Sequence, residues 1–233
     1  MRSVARAVVS VVAVGSMLAG CSVVTDIVDR LPEDWVVPPA VTGRAADVLA
    51  TLPVKGRAPR TGYSRDAFGA AWADVDGDGC DQRNQVLARD LVDERFRRGS
   101  DCVVNSGQLV DPYTGATVPF RRGAETSDDV QIDHVVALSN AWQTGAQQLG
   151  KRTRERFAND PLNLVATIGE LNQAKGDGDA ATWLPPAAGY RCPYVARQVA
   201  VKARYGLWVT AAERDAILRV LRNCPGEPLP DAR

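Results

Sequence analysis

Apolar residues recur at helical spacing toward the end of the chain and at strand-like spacing in its middle. Ile217, Val220 and Leu221 form the apolar stripe of a helix predicted over 211–223, and Thr210 with Glu213 supplies its capping box. A second helix is predicted over 193–205, with Pro193 tolerated in its first turn. Val86, Leu87, Leu91, Val92 and Phe96 are also close to helical spacing, which predicts a helix over 84–96. Residues 45–57 predict a short helix and then a loop. Residues 137–158 predict helix in pieces, broken at Gly145 and Gly150.

The strand signals are shorter. Residues 102–120 carry β-prone runs on either side of Asn105-Ser106-Gly107, and the turn-forming Asp111-Pro112-Tyr113-Thr114-Gly115 follows. A small antiparallel meander is expected there. Val130-Gln131-Ile132 predicts a strand that runs into Asp133-His134, and Asn163 to Thr167 predicts another. Ile168 to Ala174 then opens a helix. There is no internal repeat. The fold class is α+β, a mainly helical domain with a small antiparallel sheet.

The first 20 residues stand apart. Arg2 and Arg6 precede an apolar run from Ala7 to Ala19, the layout of a secretory signal and too short for a spanning helix. The run ends in Leu18-Ala19-Gly20-Cys21, which resembles a bacterial lipobox and marks Cys21 as the lipidated residue. The expectation is an extracytoplasmic lipoprotein or secreted protein that meets the membrane only through this anchor. Residues 21–45, with Pro32, Pro38, Pro39 and Gly43, read as a flexible tether. The folded domain is expected over 46–224, an N-terminal sub-lobe at 46–120 and a core at 121–224, with 225–233 as a tail.

Export puts the remaining cysteines in an oxidising compartment. Cys80, Cys102, Cys192 and Cys224 allow three pairings. Cys80–Cys102 and Cys192–Cys224 are the local choices, each adding about 3 kcal/mol through the unfolded state. A four-cysteine zinc site is the alternative, although no C-x₂-C pair supports it.

Composition then removes several classes of chemistry. The chain has 233 residues, 28 basic and 28 acidic, and a single histidine, His134. One imidazole excludes H-E-x-x-H proteases, three-histidine zinc hydrolases and Cys₂His₂ fingers. Without the first 20 residues the charge is 26 basic against 28 acidic, since Arg2 and Arg6 are the only charges lost. Bulk electrostatics therefore does not drive partner binding; local basic runs at Arg121-Arg122 and at Lys151, Arg152, Arg154 and Arg156 remain. No G-x-S-x-G is present, which disfavours a serine hydrolase.

The chemistry concentrates between Asp133 and Asp179. The sole imidazole is adjacent to a carboxylate, and Asn172 and Lys175 share a helix face three residues apart. Asp133 and Asn172 offer the hard oxygens that Mg²⁺ takes. An unperturbed histidine is a competent general base at neutral pH. Neighbouring strand residues point to opposite faces, so a shared site requires the strand to end or twist at this point. Asp74-Val75-Asp76-Gly77-Asp78-Gly79 matches the start of an EF-hand loop, but Gln85 stands where the bidentate Glu belongs. A tight Asp/Gly turn locked by Cys80 is the preferred reading.

The order D-H, N-L, N-x-x-K resembles the HNH endonucleases. It is most similar to the exported bacterial HNH proteins related to the C-terminal domain of GmrSD restriction endonucleases. The likeness takes in W-x-D-x-D-G-D-G-C at 72–80, N-A-W-x-x-G-A at 140–146, F-A-N-D at 157–160 and W-L-P-P at 183–186, roughly residues 60–224 in all. It implies a ββα-metal finger embedded in the domain. It further implies metal-dependent hydrolysis of phosphodiesters, most readily in DNA, with Mg²⁺ or Mn²⁺. His134 is then the base, Asp133 and Asn172 the metal ligands, and Asn163 the residue that braces the loop and orients His134. Lys175, Arg152 and Arg154 are expected at phosphates. Binding is expected to be weakly sequence-specific, by a monomer. A non-catalytic surface lipoprotein that uses the same scaffold for binding is the alternative.

Overall fold

A computed structural model describes residues 41–124 and 126–230. The signal, Cys21 and nearly all of the tether lie outside the described residues. Among the described residues the first helix, α1 (Ala45–Thr51), is followed by a 3₁₀ turn at Arg65–Phe68 and by α2 (Gln82–Asp90). Three strands come next: β1 (Leu91–Phe96), β2 (Val104–Val110) and β3 (Thr117–Arg121), an antiparallel sheet in the order β1-β2-β3. The second half runs β4 (Val130–His134), α3 (Leu138–Gln143), α4 (Lys151–Asn159), β5 (Leu164–Ile168) and α5 (Gly169–Lys175). Two longer helices, α6 (Arg191–Arg204) and α7 (Ala211–Leu221), close the fold.

Two expectations change. The helix over 84–96 stops at Asp90, where the chain becomes β1. Leu91 is buried against the sheet, while Val92 and Phe96 are exposed, so the helical spacing served two different elements. Asn105-Ser106-Gly107 is not a turn but lies inside β2. Gly107 lets the strands approach closely there, since a Cβ would meet Leu91 Cβ and the Val92 carbonyl oxygen at 3.2 Å, tighter than an ordinary contact. The turn after it is where the sequence places it: Asp111 caps the Thr114 N–H, and Gly115 takes a positive φ.

β4 and β5 pair antiparallel, His134 opposite Leu164 and Asp133 opposite Val165, and α5 follows directly. This is a ββα unit. Gly169 allows the close join, since a Cβ would lie 2.1 Å from the Asp128 carbonyl oxygen. The hairpin separates two hydrophobic clusters. Val130, Ile132, Leu164 and Ala166 face α2 and the three-stranded sheet, and Val165 faces the larger cluster built on α1, α3, α4, α6 and α7. Period-two alternation therefore sends neighbouring residues of β4 into different surroundings.

Both local disulfides form. Cys80–Cys102 ties the start of α2 to the sheet, and Cys192–Cys224 ties α6 to the end of α7. That removes the zinc alternative, because all four thiols are consumed. The capping box at Thr210 and Glu213 is present, and buried Glu213 also accepts from Lys202 at 2.8 Å. No helix among the described residues is long and apolar enough to cross a membrane.

Candidate functional site

His134 ends β4 on the hairpin face shared with Ile132 and Leu164. Its Nε2 lies 2.8 Å from the Ala158 carbonyl oxygen at the end of α4. A carbonyl only accepts, so Nε2 carries the hydrogen and Nδ1 is left with a lone pair, a tautomer assigned from this contact. The indole of Trp72 is nearly parallel to the imidazole, with centroids 6.2 Å apart and planes 15° apart. Loss of water around the half-buried ring pulls its pKa down from 6.5 to about 4. The Ala158 hydrogen bond opposes that shift, and the Arg65 and Lys175 charges add to it. At neutral pH the ring is uncharged and able to accept a proton.

Asn163 holds the strand exit behind this ring. Its backbone carbonyl accepts from Val135, its Oδ1 accepts from the Val136 N–H at 2.8 Å, and its Nδ2 donates to the Val136 and Phe157 carbonyls. Asn163→Ala is expected to cost about 1–3 kcal/mol, because the buried Val136 N–H loses its partner. A lower urea midpoint with an unchanged slope would show it, and a wild-type midpoint would refute it.

Asp133 leaves β4 on the opposite face and is buried. Tyr113 donates to its Oδ2 at 2.6 Å, and Lys175 Nζ donates to its Oδ1 at 2.9 Å. The same ammonium reaches the His134 carbonyl oxygen at 2.8 Å. Burial, and then the Asp133 charge, push the Tyr113 hydroxyl well above its ordinary pKa, so it remains a donor. Asn172 lies on the Asp133 side, its Nδ2 donating to Gln131 Oε1 at 2.9 Å.

The expected cluster is thus divided. Asp133, Asn172 and Lys175 gather between the hairpin and α5, while the His134 ring faces the other way. Lys175 is not placed to meet a phosphate: it is buried and fixed to Asp133. Arg154 is likewise structural, donating to the Ala67 and Leu149 carbonyls and lying 5.7 Å over the Trp142 ring. Arg152 is exposed on α4. The Asp74 carboxylate caps the N–H groups of Gly77 and Gly79, and Gln85 donates to Asp76 and Asp78, which makes this segment a closed turn beside Cys80.

The donors on the α5 side suit a hard divalent ion in kind: a carboxylate, a carbonyl and an amide. A cation already bridges two of those oxygens, the Lys175 ammonium. An ion bound by Asp133 would therefore take over a position built for positive charge, and Lys175 would yield it.

Three further groups stand at the histidine: Trp72 and Asn159, which lie in the W-x-D and F-A-N-D segments but carried no role there, and Arg65, which lies in no motif. Trp72 stacks beside the ring. Arg65 carries an exposed guanidinium near it and pairs with no carboxylate among the described residues. Asn159 is buried. All three line, with His134, a cavity of about 230 Å³. Trp72 holds a positive φ of 60°, unusual for a bulky residue. No pattern of spacing links residues 65 and 72 to residue 134. Only the packing of the 3₁₀ turn on α4 brings them together.

The family model for GmrSD restriction endonucleases, C-terminal domain, matches residues 81–220, more than half of the chain. The chain belongs to this family. The matched span of this GmrSD C-terminal-type protein holds the whole ββα unit and His134. A protein of Arthroderma benhamiae (strain ATCC MYA-4681 / CBS 112371), described as an uncharacterized secreted protein, is 40% identical over 190 residues, covering 81% of this chain and 87% of the relative. No solved structure matches significantly.

Proposed function

We propose that this protein is an exported, metal-dependent endonuclease that hydrolyses phosphodiester bonds of nucleic acid, DNA above all. The observation that carries the reading is His134, held by the Ala158 carbonyl at the end of a ββα unit in a chain of this restriction-endonuclease family. His134 Nδ1 takes a proton from the attacking water, and the Ala158 carbonyl keeps the ring aimed. Arg65 meets the phosphate, the role expected of Lys175, Arg152 and Arg154, of which Lys175 and Arg154 are engaged within the fold. Asp133 and Asn172, which lie across the hairpin from the His134 ring, would hold the divalent ion, Mg²⁺ or Mn²⁺, and the strand exit has to turn in the substrate complex for that ion and the imidazole to meet one phosphate. Such an ion supplies Lewis-acid stabilisation of charge on the phosphate and the leaving oxygen. Cleavage by a monomer outside the cytoplasm, lipid-anchored at Cys21, completes the reading.

Asp133, already held by Tyr113 and Lys175, favours one rival, a scaffold that binds without cleaving. Incubation of purified protein with plasmid and single-stranded DNA, with Mg²⁺ or with chelator, separates the two. Metal-dependent nicking is expected. No cleavage with any divalent ion would leave the scaffold reading standing.

A further inference from the structure

The cavity beside His134 has more features than a general base needs. Its floor is apolar, formed by Phe68, Leu138 and Ala158. One wall is the Trp72 indole, parallel to the imidazole. Asn159 contributes a buried carboxamide whose nitrogen donates to the Ala70 and Glu155 carbonyls. Those bonds fix the amide orientation, and its Oδ1 is left without a partner. A buried acceptor without a donor is rare in a native interior and calls for an explanation. Arg65 stands at the rim.

These features select an occupant. The half-buried Trp72 indole offers a face on which a flat π-system stacks. The volume lies below the range of pockets for drug-sized ligands, so a single ring system fits. A phosphodiester placed at His134 presents two other groups, sugar and base, and only the base has an aromatic face. A base inside a duplex is stacked on both sides and cannot enter.

We propose that this cavity binds one unpaired nucleobase of the substrate strand, stacked on Trp72, with Arg65 on the adjoining phosphate. This rests on the nuclease reading and makes the substrate single-stranded or locally opened nucleic acid.

The test is a binding measurement in chelator, where no cleavage occurs. Tryptophan fluorescence is titrated with deoxyadenosine 5′-monophosphate and with 2-deoxyribose 5-phosphate. The nucleotide is expected to bind at least tenfold more tightly and to quench emission. Trp72→Leu is expected to remove about tenfold or more of that affinity. Arg65→Gln should weaken both probes. Because Trp72 also packs on the smaller core, Ala71→Phe serves as a second variant, filling the cavity from an exposed rim position. It should exclude the nucleotide and spare the sugar phosphate.

Equal affinity for the two probes, or unchanged nucleotide affinity in both folded variants, overturns the proposal. Plasmid cleavage with Mg²⁺ is measured in parallel. Cleavage without base discrimination removes the pocket and leaves the nuclease. Discrimination without cleavage removes the nuclease and leaves a nucleotide-binding site.

Discussion

Replacing His134 by Ala is expected to lower turnover by about 10²–10⁴-fold, the usual loss when a positioned general base is removed. No other imidazole exists to substitute for it. The ring is held with Nδ1 available by the Ala158 contact, and its depressed pKa keeps it neutral over most of the working range. Two further results follow from that depression. The acid limb of kcat for wild type should fall near pH 4 rather than 6.5. The direction for stability follows from proton binding: the unfolded chain protonates near pH 6.5, the folded one only near 4, so stability is lost as the pH falls between them. His134→Ala should lose this part of the pH dependence. Cleavage assays over pH 4–8 and urea titrations at both ends of that window measure these effects. Turnover within tenfold of wild type would remove the base assignment, and an acid limb near 6.5 would show that the ring is hydrated in the working enzyme.

The fold was legible wherever one element served one surface. α7 buries one stripe and its capping box marks where it starts, so its spacing and N-terminus were readable. α6 is buried on most of its surface and was readable from its continuous run of apolar and helix-forming residues. β1 was not, because residues 82–96 change from helix to edge strand at Asp90 without breaking the helical spacing of their apolar positions. Gly107 misled in a related way. Its signal is close approach of two strands, which looks the same in sequence as a turn.

The candidate site was half legible. His134, Asp133, Asn163 and Asn172 stand out because polar residues punctuate apolar strands. Their division between two faces follows from simple alternation along β4, which anticipated that a shared site would need the strand to end or twist. The strand does end at His134, but the two side chains have already diverged. The cations were harder to read. A basic residue in a sequence is equally consistent with a solvated charge, a phosphate contact and a buried counter-ion, and only its neighbours decide. Arg154 is consumed by two carbonyls, whereas Arg65, in no basic run, stands at the histidine. The acceptor of Asn159 likewise has no counterpart in the sequence, since its isolation depends on which groups surround it.

Lys175→Met is expected to destabilise the protein by about 3–5 kcal/mol, the cost of leaving one charge of a buried pair without its partner. Asp133 would keep Tyr113 as a donor but lose its counter-charge. A phosphate-contacting lysine would behave differently, with stability unchanged and nucleic-acid affinity and its salt dependence reduced. The urea midpoint at neutral pH therefore distinguishes the two roles. A divalent ion adds a second discrimination. If Asp133 is its ligand, Mn²⁺ should raise the midpoint of Lys175→Met more than that of wild type, because the ion no longer competes with the ammonium. At an ion concentration a hundredfold above Kd the gain is about 2.7 kcal/mol. The double variant Lys175→Met with Asp133→Asn removes both charges, so it should cost less than the sum of the single changes and show no response to Mn²⁺. A Lys175→Met protein as stable as wild type would refute the buried pair. A destabilised one that ignores Mn²⁺ would refute the metal role of Asp133 while leaving the pair intact.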